Sequence, residues 1–173
     1  MDEAEMYTRV EMAIKSFLER DCQLLYLGAN ERSVSHKIAE HLQRQFPEYH
    51  IDCEYNRHGE LPKTIIVNYE PKETPVEDLE AKTVFPDIII HERGHDENNL
   101  MVIEIKKNNS TQDAENDFMK LRAFTSQEYR YTTGLFLRFD VDNGKISEVH
   151  CFQKGTEHSD SIWQRLVDVR RDE

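Results

Sequence analysis

Apolar residues recur at spacings of three and four along the first segment of the chain. Met6, Val10, Ile14 and Phe17 form the stripe, with Ala13 and Leu18 beside it, which predicts a helix from about Asp2 to Leu25. Leu27-Gly28-Ala29-Asn30 breaks that pattern, because Gly ends helices and Asn caps them. A second helix is predicted from Glu31 to Phe46, with Val34, Ile38, Leu42 and Phe46 as its stripe, Asn30 as N-cap and Pro47 as its stop. The pattern then shortens to β-prone runs at Tyr49–Tyr55 and Thr64–Val67. Two stronger strands follow at Thr83–His91 and Leu100–Lys106, joined by a polar connection. Ala114, Phe118, Leu121 and Phe124 predict a third helix over Thr111–Thr125, with Ser110 as N-cap. Thr133–Phe139 and Ile146–Phe152 read as a hairpin across Asn143-Gly144, and Ser161–Val167 as a short closing helix. The order implies an α/β fold, a mixed central sheet flanked by helices with an extra helix at the N-terminus.

Composition narrows this picture. The 173 residues suffice for one domain spanning 1–173, in which 1–29 are the N-terminal helix and turn. Residues 70–80 are of different material. Glu70, Glu73, Glu77, Asp78 and Glu80 stand against Lys72, between prolines, so this segment reads as an acidic, solvated loop. The formal net charge is −12, which argues against non-specific coating of nucleic acid but leaves room for a local site. No apolar run reaches the roughly 18–20 residues that span a bilayer, and the acidic N-terminus lacks the basic and apolar regions of a secretory signal. Three widely spaced cysteines, Cys22, Cys53 and Cys151, suit a reducing compartment and make no zinc-ligand pair. A cytoplasmic protein without membrane partners is expected.

Charge placed inside strands carries the chemical signal. Asp87 directly precedes Ile88-Ile89-Ile90, and Glu104 and Lys106 interrupt an apolar run. Side chains alternate across a strand, so Glu104 and Lys106 share a face. Burying such groups is costly unless they are paired or bind a metal. A buried Glu–Lys ion pair and a metal site both meet that condition. Glu31 adds to the second alternative. With Val34 at zero, Ile38, Leu42 and Phe46 lie at roughly 40°, 80° and 120° around the helix and Glu31 at roughly 60°, within the core-facing stripe. Glu31 is either a first-turn acid favoured by the helix dipole or a third inward carboxylate. Like charges about 4 Å apart repel by roughly 4 kcal/mol at an effective dielectric near 20. Three clustered carboxylates therefore need a cation, and all-oxygen ligation favours Mg²⁺ or Mn²⁺.

Pro86-Asp87 followed by Glu104-Ile105-Lys106 resembles the motif of the PD-(D/E)xK nuclease superfamily, the restriction-endonuclease-like fold. The stretches 30–36, 52–57, 84–91 and 99–107 also look like small stand-alone bacterial members of it, and the resemblance covers roughly Asn30 to Phe139. It implies that Asp87 and Glu104 bind a divalent metal, that the Ile105 carbonyl completes the ligand set, that Lys106 orients or polarises the attacking water, and that Glu31 is the acidic residue of the first core helix. The metal would be Mg²⁺ or Mn²⁺. The partner would be nucleic acid, with DNA expected, and a homodimer or larger nuclease assembly would fit the family.

Other residues stay open. Lys107 and Asn108 follow the motif and either touch phosphate or are ordinary polar residues at a strand end. Asp117 and Lys120 either support the site or line an exposed helix face. His91, on the Asp87 side of its strand, either lines the site or is a plain strand-end histidine. The leading expectation is a metal-dependent endonuclease that hydrolyses phosphodiester bonds with metal-activated water. The alternative is a catalytically silent nuclease-fold module that serves interaction or regulation.

Overall fold

The computed structural model describes residues 1–55, 57–58, 61–62, 64–66, 81–159 and 161–169. The acidic loop expected at 70–80 lies outside them. Among the described residues the α-helices are α1 (Glu3–Arg20), α2 (Gln23–Tyr26), α3 (Glu31–Gln45) and α4 (Glu115–Phe124). The strands are β1 (His50–Cys53), β2 (Arg57–His58), β3 (Leu61–Pro62), β4 (Thr64–Ile66), β5 (Ala81–Thr83), β6 (Ile88–His91), β7 (Met101–Lys107), β8 (Thr133–Asp140), β9 (Lys145–Gln153) and β10 (Thr156–Glu157).

Six strands form one mixed sheet in the order β1-β6-β7-β8-β9-β10, while β2–β3 and β4–β5 are separate ribbons. All neighbours in the main sheet are antiparallel except β7 and β8, which run parallel from Met101↔Thr133 to Lys107↔Phe139. Parallel strands cannot be joined by a tight turn, and α4 lies within the connection that crosses between them.

Alternation along the strands sorts the core into two layers. Ile88, Ile90, Met101, Ile103, Ile105, Leu135, Leu137 and Phe139 pack with the stripes of α1 and α3 and with Trp163. Ile89, Val102, Phe136 and Phe152 pack on the other face with Leu121 and Phe124 of α4. The chain is therefore an α/β protein with helices on both faces of a mixed sheet. Among the described residues no helix is long and apolar enough to cross a membrane.

Several boundaries differ from the expected ones, each for a local reason. The first helix ends at Arg20, not Leu25. The Asp21 amide donates to the Phe17 carbonyl at 2.8 Å while its carboxylate turns to His41 Nε2, also at 2.8 Å, and α2 restarts the chain two residues on. Asn30 does cap α3, accepting from the Ser33 amide at 2.8 Å. The third helix begins at Glu115, not Thr111. Asp113 takes the Glu115 amide at 3.1 Å, while Ser110 is held in a turn by the Lys107 carbonyl at 3.0 Å. The closing segment is a 3-10 helix, Ile162–Asp168, capped by Ser161. The strand expected over Thr83–His91 is split into β5 and β6 by Val84-Phe85-Pro86-Asp87, and that break builds the site.

Candidate active site

β6 and β7 pair through Ile88↔Ile103, Ile89↔Val102 and Ile90↔Met101. Carried two residues back, this register sets Pro86 against Ile105. Proline leaves the ladder there because its ring and missing N–H suit a strand end. The Ile105 amide, which would otherwise lose its acceptor, donates instead to Asp87 Oδ2 at 2.7 Å. A strand residue directs its N–H and C=O to the same edge, so the Ile105 carbonyl also faces Asp87. The Glu54 amide closes the far side by donating to the Pro86 carbonyl at 3.0 Å. Asp87 is thus fixed by backbone geometry at the point where two paired strands part.

Glu104 and Lys106 share a face, as alternation requires, and it is the α4 face. Both are buried. They do not pair with each other. Glu104 Oε2 accepts from Lys120 Nζ at 2.5 Å, and Lys106 Nζ donates to Asp117 Oδ2 at 2.6 Å. Asp117 Oδ1 also meets Lys120 Nζ at 3.1 Å. The result is a chain of alternating charge, Glu104–Lys120–Asp117–Lys106, between β7 and α4. Glu104 Oε1 is buried with no hydrogen-bond partner among the described residues. Leaving such an atom without a partner costs free energy.

The electrostatics follow from this enclosure. Burial pushes the Asp87 carboxyl up from 3.8 to about 6; the Ile105 amide and Lys120 pull it down, and Asp117 and Glu31 push it up. Burial, then the charge on Asp87, holds the Glu104 carboxyl well above the carboxylate range, against the pull of Lys120. Burial lowers the Lys120 ammonium, but Glu104, Asp117 and Asp87 outweigh it and leave the group above its ordinary value.

Glu31 is not assembled with Asp87 and Glu104 into a three-carboxylate group among the described residues. Its Oε1 accepts the Lys107 amide at 3.1 Å, tying the first turn of α3 to the end of β7. Among the described residues no three His, Cys, Asp or Glu side chains are grouped to hold a metal ion. The oxygen atoms available to a hard cation are those of Asp87 and Glu104 together with the Ile105 carbonyl. The buried, unpartnered Glu104 Oε1 and this all-oxygen set fit Mg²⁺ or Mn²⁺.

Lys107 and Asn108 do structural work. Lys107 Nζ donates to the Ala29 carbonyl at 2.8 Å. Asn108 Oδ1 accepts the Val141 amide at 3.2 Å, and Asn108 Nδ2 donates to Asp140 Oδ1 at 3.3 Å. His91 meets Asp52 Oδ2 at 2.9 Å, and Arg93 grips the same carboxylate, so its polar contact lies on β1, away from Glu104.

Asp117 is buried rather than on an exposed helix face. The sequence carried a signal for this. With Phe118 at zero, Leu121, Ala114 and Phe124 fall at roughly 300°, 320° and 240°, and Asp117 at roughly 260° lies inside their arc, with Lys120 at its edge near 200°. Arg138 is a further residue the sequence did not single out. It stands opposite Lys106 in the β7–β8 register, over the Phe136 ring, with its guanidinium on Glu148. The chain matches no family model and no curated protein.

Proposed function

We propose that this protein is a divalent-metal-dependent nuclease of the restriction-endonuclease-like fold, acting on phosphodiester bonds of DNA. The observation that carries the reading is the pairing of Asp87 with a buried Glu104 that keeps one oxygen unpartnered at a break between adjacent strands. A fold loses stability by keeping two carboxylates in such a place. A divalent ion there would be held by Asp87, Glu104 and the Ile105 carbonyl, and it would supply neutralisation of phosphate charge and a more acidic bound water. The motif on neighbouring antiparallel strands, with an acidic residue on the preceding helix and a helix after it, supports the same reading.

The residues of the chain have distinct parts in the reaction. Asp87 and Glu104 would hold the ion, which would supply the positive charge that attracts the scissile phosphate. The water oxygen bonds to phosphorus as the bond from phosphorus to the leaving ester oxygen breaks. The leaving oxygen keeps that electron pair and takes up a proton, the water having released one. Glu31 and Lys107 fix the end of β7 against α3, so the carboxylates keep their spacing. The net charge of −12 slows approach to DNA, so binding to a long duplex would come from a larger assembly with basic surfaces of its own.

One observation favours a second reading. Glu104, Lys120, Asp117 and Lys106 balance two negative charges with two positive ones, so the network is neutral in charge without an ion. A catalytically silent interaction module would need nothing more. Incubation with supercoiled plasmid, linear duplex, single-stranded DNA and RNA, with Mg²⁺, Mn²⁺ or EDTA, separates the two. The nuclease reading expects cleavage with either ion, none with EDTA, and loss in Asp87→Asn. The absence of cleavage on every substrate would support the silent module.

A further inference from the structure

We propose that Lys120 of α4, and not the motif lysine Lys106, is the catalytic ammonium that faces the reacting phosphate. The inference rests on the nuclease reading and assigns one role within it. Three observations carry it. Lys120 Nζ is 2.5 Å from Glu104 Oε2, so this ammonium touches the carboxylate whose other oxygen is unpartnered. Lys106 Nζ points instead to Asp117 Oδ2 at 2.6 Å and makes no ion pair with Glu104 or Asp87 among the described residues. The two lysines also differ in access. The Lys120 side chain is 19% exposed, whereas that of Lys106 is 5% exposed and its partner Asp117 only 12%.

A lysine must meet solvent to meet a substrate. Lys106 is sealed between β7 and α4, on a partner that is itself nearly buried, so its ammonium has no opening toward a substrate. Lys120 lies one helical turn from Asp117, which holds it from behind at 3.1 Å. A flexible lysine stem then lets the ammonium pass from Glu104 to a non-bridging phosphoryl oxygen when a substrate enters. The ammonium contributes positive charge at the phosphoryl group while the water oxygen bonds to phosphorus and the ester bond to the leaving oxygen breaks. Asp117 is on this account a positioning residue that spans both lysines.

The test compares Lys120→Met, Lys120→Arg and Lys106→Met with the wild type. Single-turnover cleavage of plasmid in Mn²⁺ is measured beside Mn²⁺ affinity by calorimetry. The proposal expects Lys120→Met to lose about 100-fold or more in rate with Mn²⁺ affinity within about threefold. Lys120→Arg should recover about tenfold of that loss, and Lys106→Met should lose less than Lys120→Met. Thermal melting identifies any variant that fails to fold, and Lys120→Arg, which keeps the charge, decides the matter if Lys120→Met does not fold. A Lys106→Met loss equal to or larger than that of Lys120→Met would overturn the assignment while leaving the nuclease reading intact. So would loss of Mn²⁺ binding in Lys120→Met, which would make Lys120 a support for Glu104. A wild type that cleaves nothing would remove the nuclease reading, and this inference with it.

Discussion

Asp87→Asn should make the metal-free protein more stable at neutral pH, and the structure gives the size of the effect. Burial raises the Asp87 carboxyl from 3.8 to about 6. An acid raised in the folded state binds its proton more tightly there than in the unfolded chain. Its contribution to stability is fully present below about 3.8 and is lost as the pH rises through about 6. At about 1.4 kcal/mol per pH unit, the interval amounts to about 3 kcal/mol. Asparagine carries no charge to desolvate, and its side-chain oxygen still accepts from the Ile105 amide. Removing the Asp87 charge also relieves Glu104, whose carboxyl it helps to raise, so both effects have the same sign. Urea denaturation in EDTA at fixed ionic strength, from about pH 4 to about pH 8, measures the difference between variant and wild type. The gap should open by about 3 kcal/mol in favour of the variant as pH rises. A gap that stays flat, or that opens in favour of the wild type, would refute the reasoning, because it would mean that ionised Asp87 is not penalised by its surroundings.

Three other expectations follow from single contacts. In Gly134→Ala a Cβ would lie 3.1 Å from Thr125 Cγ2, 3.3 Å from Leu121 Cδ2 and 3.4 Å from Phe152 Cβ; urea melts should show a loss of about 1–3 kcal/mol, because these side chains must shift to admit the methyl group. Asp117→Ala strands the buried Lys106 ammonium, while Lys120 keeps Glu104, and should cost about 3–5 kcal/mol by the same assay, with no loss arguing that the buried network is dispensable. Asn30→Ala removes the cap on the Ser33 amide and should cost about 1 kcal/mol.

How far the fold could be read from the sequence depended on which interaction set each boundary. The stripes of α1 and α3 and the strand at Met101–Lys107 follow from apolar spacing alone, and so did the shared face of Glu104 and Lys106. Boundaries set by one polar side chain were missed. Asp21 turns to His41 where α1 ends, and α4 starts after Ala114 with its first amide donated to Asp113, so Ser110 is no cap. The expected strand over Thr83–His91 breaks because Pro86 cannot donate and Asp87 takes the Ile105 amide, a trade that needs the partner strand to be seen. At the site, Asp87 and Glu104 were legible as charges in apolar strands. The partners were not. Glu104 and Lys106 pair with residues of α4, 11 to 16 positions later in the chain, and not with each other. Glu31 faces inward as its place on the stripe suggested, but its carboxylate meets a backbone amide and not a carboxylate cluster.

Asp87 and Glu104 are proposed to form one divalent-cation site, and calorimetric titration of the metal-free protein with Mn²⁺, beside Asp87→Asn and Glu104→Gln, probes that site without any substrate. Saturable binding to the wild type and its loss in both variants are expected, with melting curves showing that each remains folded. Binding that persists in both variants, or a wild type that takes up no Mn²⁺, would rule the site out.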